Sequence, residues 1–143
     1  MTTCHDVADY FLSLQDDESG DTISNLKLQK LAYYAQGFSL AIFKSPLFEE
    51  PIEAWIHGPV VPDLYHRFSE HRSASIPMTE DFDPDTIDKD ARELLDEVYE
   101  VYGQYSGWKL RNMTHEELPW KNAPVQSEIT HESMGEYFTT LIN

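Results

Sequence analysis

Cysteine is almost absent from this chain of 143 residues, in which Cys4 is the only one. No disulfide can therefore form within the chain, and no zinc site can be built from several of its thiolates. No charged start followed by an apolar block marks a secretory signal, which predicts a cytoplasmic protein. The apolar runs are far too short to span a bilayer, so no membrane association is expected.

Basic residues are also scarce. Ten Lys and Arg face 26 Asp and Glu, which gives a formal net charge of −16. This charge repels nucleic acid and anionic lipid, so direct nucleic-acid binding is not expected. Two interpretations of the acidity remain open. It can serve solubility alone, or it can speed the encounter with a partner that carries basic patches.

Signatures of catalysis are missing as well. The chain has no nucleophile elbow, no phosphate-binding Walker loop and no Gly-rich dinucleotide turn. None of its six histidines has a second histidine at the helical spacing of a zinc protease, and His66 and His71 are five residues apart. We therefore predict no catalytic residue, no metal site and no cofactor, and we expect a protein that is not an enzyme.

The residues that are present predict one mainly α domain over residues 1–143. Hydrophobic residues make up 41% of the chain and aromatic residues 13%, which is enough for a sizeable core. The periodicity predicts about six helices around a central buried helix at about residues 24–44. Ser24 is its expected N-cap, and its surface is apolar nearly all round, as in helices buried among others.

Local signals place the remaining elements around that central helix. A small two-stranded β-hairpin is expected at about residues 46–57, with strands near 47–48 and 53–55 joined by an acidic loop. Residues 58–62 should form a stiff extended turn that starts a helix at Pro62. Further helices are expected at 3–15, at 86–102, after Ser106 and from Thr130, and the segment 118–120 should end the helix that follows Ser106.

Three segments carry a resemblance to a known family. They read LKLQKLAYYAQG at 26–37, IEAWIHGPVVP at 52–62 and THEELPW at 114–120. Their order and spacing resemble the Panacea domain, also called the SocA-like antitoxin domain, of bacterial and phage toxin–antitoxin systems. The third segment is similar to the Thr-His-x-x-x-Pro-Trp pattern of that family.

The resemblance implies an antitoxin that neutralises a co-encoded toxin by direct protein–protein binding, without chemistry. The partner would be the cognate toxin, with basic patches, and a homo-oligomer is possible. Candidate partner-binding residues lie in the acidic loop, the extended turn, the third helix and the third segment. They are Glu49, Glu50, Trp55, His57, Gly58, Pro59, Val60, Pro62, Tyr65, His115, Glu116 and Trp120. Core packing is the competing interpretation for the aromatic residues, and architecture is the competing one for the Gly58 turn.

Two other functions fit the sequence less well. One is a proteolytic adaptor that delivers a bound protein to a protease. The other is an acidic phage or prophage protein that mimics DNA, with carboxylates spaced like phosphates on one face. An enzyme of unrecognised type would instead require a pocket that holds two titratable groups with perturbed pKa values.

Overall fold

The fold is mainly α, as predicted. The computed structural model describes residues 2–16 and 18–142. Within them it contains seven α-helices and a three-stranded antiparallel sheet. The helices are α1 (Cys4–Ser13), α2 (Asn25–Ile42), α3 (Pro62–Phe68), α4 (Lys89–Tyr102), α5 (Gly107–Thr114), α6 (Leu118–Lys121) and α7 (His131–Thr139).

Helix α2 is the central helix that the sequence predicts. The Ser24 hydroxyl caps it by accepting a hydrogen bond from the Lys27 amide. It ends at Ile42, and Lys44 just beyond has a left-handed backbone, with φ of 59°. Fourteen of its 18 residues are buried, because α1, α3, α4, α5, α7 and the sheet all pack against it.

The approach of α7 to α2 depends on a glycine. A Cβ atom added at Gly37 would overlap the ring of Phe138 on α7. The Phe138 ring lies edge-on to Tyr33 at 5.4 Å and to Phe38 at 4.9 Å, measured between ring centroids. Gly37 thus lets an aromatic side chain fill the space against the backbone of the central helix.

The small sheet exists, but its strands differ from the predicted ones. Strand β1 (Ile52–Trp55) pairs with β2 (Gly58–Val60), and β3 (Glu128–Ile129) pairs with the other edge of β1. The predicted strand at residues 47–48 is wrong, because Leu47 and Phe48 form no strand and their backbone groups bond to the side chain of Gln36 on α2 instead. Strand β3 has only two residues, too few for an alternating pattern to show in the sequence.

The segment from Gly58 to Val61 is extended, as its prolines predict, but it is not an exposed turn. Its four residues are buried, and the first three form strand β2. The turn is instead Ile56-His57, between β1 and β2. Pro62 does occupy the start of α3, as predicted.

The remaining helices follow their caps. Helix α4 begins later than predicted because the Asp88 carboxylate caps it, accepting from the Ala91 amide at 2.9 Å. The Thr130 hydroxyl caps α7 in the expected way. The segment 118–120 was expected only to end α5, whereas it starts the separate helix α6 with Pro119 in its first turn. Among the described residues, none of the helices is both long and apolar enough to cross a membrane.

Candidate functional site

The polar residues of α2 connect it to the elements around it. Lys27 Nζ donates to the Gly103 carbonyl oxygen at the end of α4, at 2.6 Å. Gln29 Oε1 accepts from the Val61 amide at 2.9 Å. Gln36 Oε1 accepts from the Leu47 amide at 2.7 Å. The polar positions of the first family segment therefore act within the fold.

Lys30 is fully buried beneath strand β2. Its Nζ donates to the Pro59 carbonyl oxygen at 3.0 Å. Burial lowers its pKa to about 7, and the Arg111 charge adds to that effect. Gly58 has φ of +108°, and a Cβ there would lie 2.8 Å from Lys30 Cε and 2.8 Å from Thr114 Oγ1. Only glycine fits both the backbone angle and the space.

Glu117 joins the third family segment to the first. Its Oε1 accepts from the Tyr33 hydroxyl at 2.9 Å, and its Oε2 accepts from the Tyr34 hydroxyl at 2.7 Å. Burial raises the pKa of Glu117, and the two tyrosine hydrogen bonds partly oppose that rise. Burial and the nearby Glu117 raise the pKa of Tyr33 in turn.

The third family segment also holds the β1–β2 turn. The indole Nε1 of Trp120 donates to the Trp55 carbonyl oxygen at 2.8 Å. The His115 ring Nε2 lies 3.1 Å from the Ile56 carbonyl oxygen. The rings of His115 and Trp120 stack with centroids 4.0 Å apart. Burial, and secondarily the Arg111 charge, lower the pKa of His115, which favours a neutral ring that donates through Nε2.

The side chains around this turn form an exposed aromatic surface. Ile56 is 71% exposed, Trp108 is 55% exposed and Tyr65 is 39% exposed. The Trp55 ring meets the Tyr65 ring edge-on, with centroids 5.0 Å apart. We call this surface the hairpin tip; its residues are Trp55, Ile56, His57, Tyr65, Trp108, Arg111, His115 and Trp120.

Arg111 fixes one side of the hairpin tip. Its Nε donates to His57 Nδ1 at 3.1 Å. Its guanidinium carbon lies 4.5 Å from the centroid of the Trp108 ring, as in a cation–π contact. The tip is therefore aromatic and carries Arg111, and the carboxylate of Glu53 lies beside it, accepting from the Trp55 indole at 2.9 Å.

Five of the candidate residues meet at the hairpin tip: Trp55, His57, Tyr65, His115 and Trp120. Three others, Gly58, Pro59 and Val60, are buried, so they hold the tip from beneath instead of facing a partner. Pro62 is half-buried at the start of α3. Glu116 is exposed next to His115.

The acidic loop plays a different part from the one expected. Glu50 is half-buried, and its Oε1 accepts from the Cys4 amide at the start of α1, at 3.0 Å. A carboxylate at this position stabilises a helix N-terminus. Glu49 is exposed. The loop therefore supports α1 through Glu50 and leaves Glu49 facing solvent.

Sequence reasoning missed Ile56, Trp108 and Arg111. Ile56 lies in the second family segment. The predicted hairpin has its turn at residues 49–51, so it does not predict an exposed side chain at Ile56. For Trp108, the residue type leaves both core packing and a partner-binding surface open, and it is not among the candidate residues. The alternation of apolar and polar residues at positions 52–54 is a sequence signal for strand β1, but it does not show where the partner strand begins.

A large open cleft lies elsewhere in the described part of the chain. It measures about 710 Å³ and lies between residues 19–24, 73–75 and 99–107. It contains two groups with perturbed pKa values, because burial lowers the pKa of Lys27 and raises that of Tyr99. Lys27 is held by the Gly103 carbonyl, and a raised pKa makes the Tyr99 phenol harder to ionise. A lowered pKa favours the neutral amine of Lys27, but its Nζ is already engaged by the Gly103 carbonyl oxygen and lies 3.9 Å from Asp21.

A possible metal trio also lies outside the tip. Ligand atoms of Cys4, His5 and Asp63 all lie within 4.8 Å of one another. Burial raises the pKa of the Cys4 thiol to about 12, and the charges of Glu50 and Asp63 add to this. The Arg67 guanidinium lies 3.3 Å from His5 Nδ1. A protonated thiol beside a guanidinium favours packing of α1 on α3 over metal binding.

Comparisons with known proteins agree with the resemblance. The sequence model of the family described as antitoxin SocA-like, Panacea domain, matches residues 28–121. A curated relative, antitoxin SocA of Caulobacter vibrioides (strain NA1000 / CB15N), is 51% identical over 47 residues. That match covers 33% of this chain and 25% of the relative. No solved structure matches the chain significantly.

The family match extends from α2 to the end of α6. It therefore includes the central helix, the β1–β2 turn and the Glu117 carboxylate, which the contacts above join into one structure. The chain belongs to the SocA-like antitoxin family, the family of the Panacea domain.

Proposed function

We propose that this protein is a cytoplasmic antitoxin that neutralises a co-encoded toxin by binding it directly. Family membership supports this role, and the curated relative is itself an antitoxin by name. The match covers only a quarter of that relative. We therefore argue the mode of toxin binding from the surface of this chain and not from the relative.

The hairpin tip is the observation that carries the proposal. It exposes a branched aliphatic side chain, Ile56, on a two-residue turn, and an indole, Trp108, on the adjacent helix α5. Trp, Tyr and Arg are the residues that most often dominate binding energy at protein interfaces, and all three types are present at this tip. An exposed aromatic surface of this kind is a candidate docking site.

Hydrogen bonds from neighbouring side chains hold the turn at the tip. The carbonyl oxygens of Trp55 and Ile56 are both engaged by side chains of the third family segment. Arg111 holds His57 from the other side. A surface whose turn is already fixed loses little conformational entropy on association, so more of its contact energy contributes to affinity.

In the proposed mechanism this protein inhibits the toxin by binding to it, and no chemical reaction takes place. The family suggests a non-catalytic regulator. The net charge of −16 would speed the encounter with a toxin that has basic patches. Family membership supports an antitoxin over a proteolytic adaptor. Family membership likewise supports an antitoxin over a DNA mimic.

Growth rescue tests the proposal. The neighbouring reading frame should arrest growth when it is expressed alone, and co-expression of this chain should restore growth. Ile56→Glu and Trp108→Glu should abolish rescue, because each places a charge in the proposed apolar contact. Met78→Glu is the matched control, since Met78 is also exposed and lies in the loop after α3.

Two results would contradict the proposal in different ways. A neighbour that is harmless alone, or that still arrests growth beside the unaltered chain, would remove the antitoxin function. Full rescue by folded Ile56→Glu and folded Trp108→Glu would show that the hairpin tip is not the surface that binds the toxin.

A further inference from the structure

A second exposed apolar surface is lined by residues that do not belong to the hairpin tip. The end of α2, one face of α4 and Ile142 line an apolar groove of about 220 Å³. Its floor is formed by Leu94 and Val98 of α4, which are buried. Its walls include Ile42, which is 45% exposed, and Val101, which is 51% exposed. We call this the α2–α4 groove.

The groove continues along α4 into an acidic region. The adjoining part is lined by Ile42, Phe43 and Leu94 together with the carboxylates of Asp90, Glu93 and Glu97. These acidic residues lie three and four positions apart, so they follow one edge of the helix. From Asp90 to Val101 the helix rises about 16 Å, which equals three turns of a second helix lying alongside.

The structure assigns this groove to an amphipathic helix of a partner protein, with aliphatic residues on one face and Lys or Arg along its flank. The apolar floor and walls would receive the aliphatic face, as in other helix-in-groove complexes. The carboxylates of Asp90 and Glu97 would pair with the basic flank, while Glu93 lies 3.5 Å from Lys89 Nζ in an exposed ion pair that a basic residue of the partner would join. The assignment goes beyond the antitoxin proposal, because it concerns a different surface and does not require a toxin.

Charge decides between the possible occupants. A second copy of this chain would bring its own acidic edge to the groove, and each copy has a net charge of −16. Anionic lipid and nucleic acid would be repelled by the same carboxylates. A basic helix is the occupant whose charge complements Asp90, Glu93 and Glu97 while its apolar face fills the groove.

A synthetic peptide tests the assignment directly. The probe is a fluorescent helix of about 18 residues, long enough to be partly helical alone. It carries Leu at helical spacing and Lys on one flank. The control is a scrambled peptide of identical composition, which keeps the charge and loses the apolar stripe. Fluorescence anisotropy with the full chain should show that the amphipathic peptide binds at least about tenfold more tightly than the scrambled peptide.

Matched variants locate the binding. Val101→Glu should remove most of the difference between the two peptides, because it places a charge in the apolar wall. Glu97→Lys should weaken binding of the amphipathic peptide by about tenfold, because it replaces an attractive charge with a repulsive one. Glu132→Lys makes the same charge change at an exposed position of α7 and should alter binding by less than about twofold. Circular dichroism spectra confirm that each variant is folded.

Three results would overturn the assignment. The two peptides could bind equally, Val101→Glu could leave the preference intact, or Glu132→Lys could act as strongly as Glu97→Lys. Sedimentation velocity adds a further outcome, since a dimer of the free chain that Val101→Glu abolishes would identify a second copy as the occupant. None of these measurements involves the toxin, so their failure would leave the antitoxin proposal to its own test.

Discussion

The indole Nε1 of Trp120 donates a hydrogen bond to the carbonyl oxygen of Trp55 at 2.8 Å, across 65 positions of sequence. This bond joins the second and third family segments, while Glu117 joins the third to Tyr33 and Tyr34 of the first. The segments that resemble the family are thus one connected structure. The residues that we propose as partner contacts are exposed around this connected structure.

Replacing Trp120 with phenylalanine should distinguish two roles of this residue, which are to hold the β1–β2 turn and to form part of the exposed surface. Trp120→Phe keeps an aromatic ring beside His115 but loses the hydrogen bond to the Trp55 carbonyl. We expect it to lower the free energy of unfolding by about 1 kcal/mol, measured by urea denaturation. Trp108→Phe, at an exposed indole, should change stability by less than about 0.5 kcal/mol. Equal effects of the two changes would argue against the role assigned to Trp120.

Gly58→Ala should be strongly destabilising. The substitution adds the strain of a positive φ to close contacts with Lys30 and Thr114. We expect a loss of about 3 kcal/mol in thermal or urea unfolding. Gly20→Ala provides the comparison, because Gly20 has φ of +79° and no atom within 4 Å of an added Cβ. Its loss should be about 1 kcal/mol, from backbone strain alone. A Gly58→Ala variant no worse than Gly20→Ala would contradict the packing described.

Removing the Glu117 carboxylate should leave two buried tyrosine hydroxyls without their acceptor. We expect Glu117→Ala to lower the free energy of unfolding by roughly 2 to 4 kcal/mol. Glu117→Gln keeps one carbonyl acceptor and should fall between this variant and the unaltered chain. Glu116→Ala, at the exposed neighbouring carboxylate, should be nearly neutral in the same urea titration. Destabilisation of similar size at both positions would show that the tyrosine contacts are unimportant.

Lys30 should make stability depend on pH in a predictable direction. Its pKa in the folded chain is about 7, below the ordinary 10.5. Between these values the unfolded chain binds more protons than the folded one, so the free energy of unfolding rises with pH. The contribution from Lys30 should amount to roughly 2 to 3 kcal/mol between pH 6 and 9.

The comparison of two methionine variants isolates that contribution. Lys30→Met should lack the rise, whereas Lys109→Met, at an exposed lysine, should keep it. Other titrating groups are common to both variants and drop out of the difference between them. Parallel stability curves for Lys30→Met and Lys109→Met would show that Lys30 stays protonated throughout.

The sequence predicts the central helix well, because its signals are local and repeated. Ser24 is a good N-cap, and an apolar surface on nearly every side indicates burial from all directions. The start of α3 at Pro62 was predictable for the same reason, since the preference of proline for the first helical turn does not depend on tertiary contacts.

The sequence does not predict the position of the hairpin, because that position depends on contacts between residues distant in sequence. The predicted strand at Leu47 and Phe48 has suitable β propensity, but Gln36 captures the amide of Leu47 and the carbonyl of Phe48. Tertiary hydrogen bonds thus override a local preference. The burial of Lys30 follows from the same kind of contact, which no periodicity reveals.

The candidate site was predicted in part. Aromatic residues and histidines in the second and third segments were chosen for their type, and five of the chosen residues meet at the hairpin tip. The exposure of Ile56 and Trp108 could not be predicted, because it depends on which face of the turn and of α5 remains uncovered after packing. Their contribution to binding is therefore the part of the account that most needs measurement.

The affinity of the purified chain for the purified product of the neighbouring gene tests the central claim most directly. Calorimetry should show a complex that Trp108→Ala and Ile56→Ala each weaken by at least about tenfold, while Met78→Ala changes its Kd by less than about twofold. No complex, or a complex that both hairpin-tip variants form as tightly as the unaltered chain, would contradict the account.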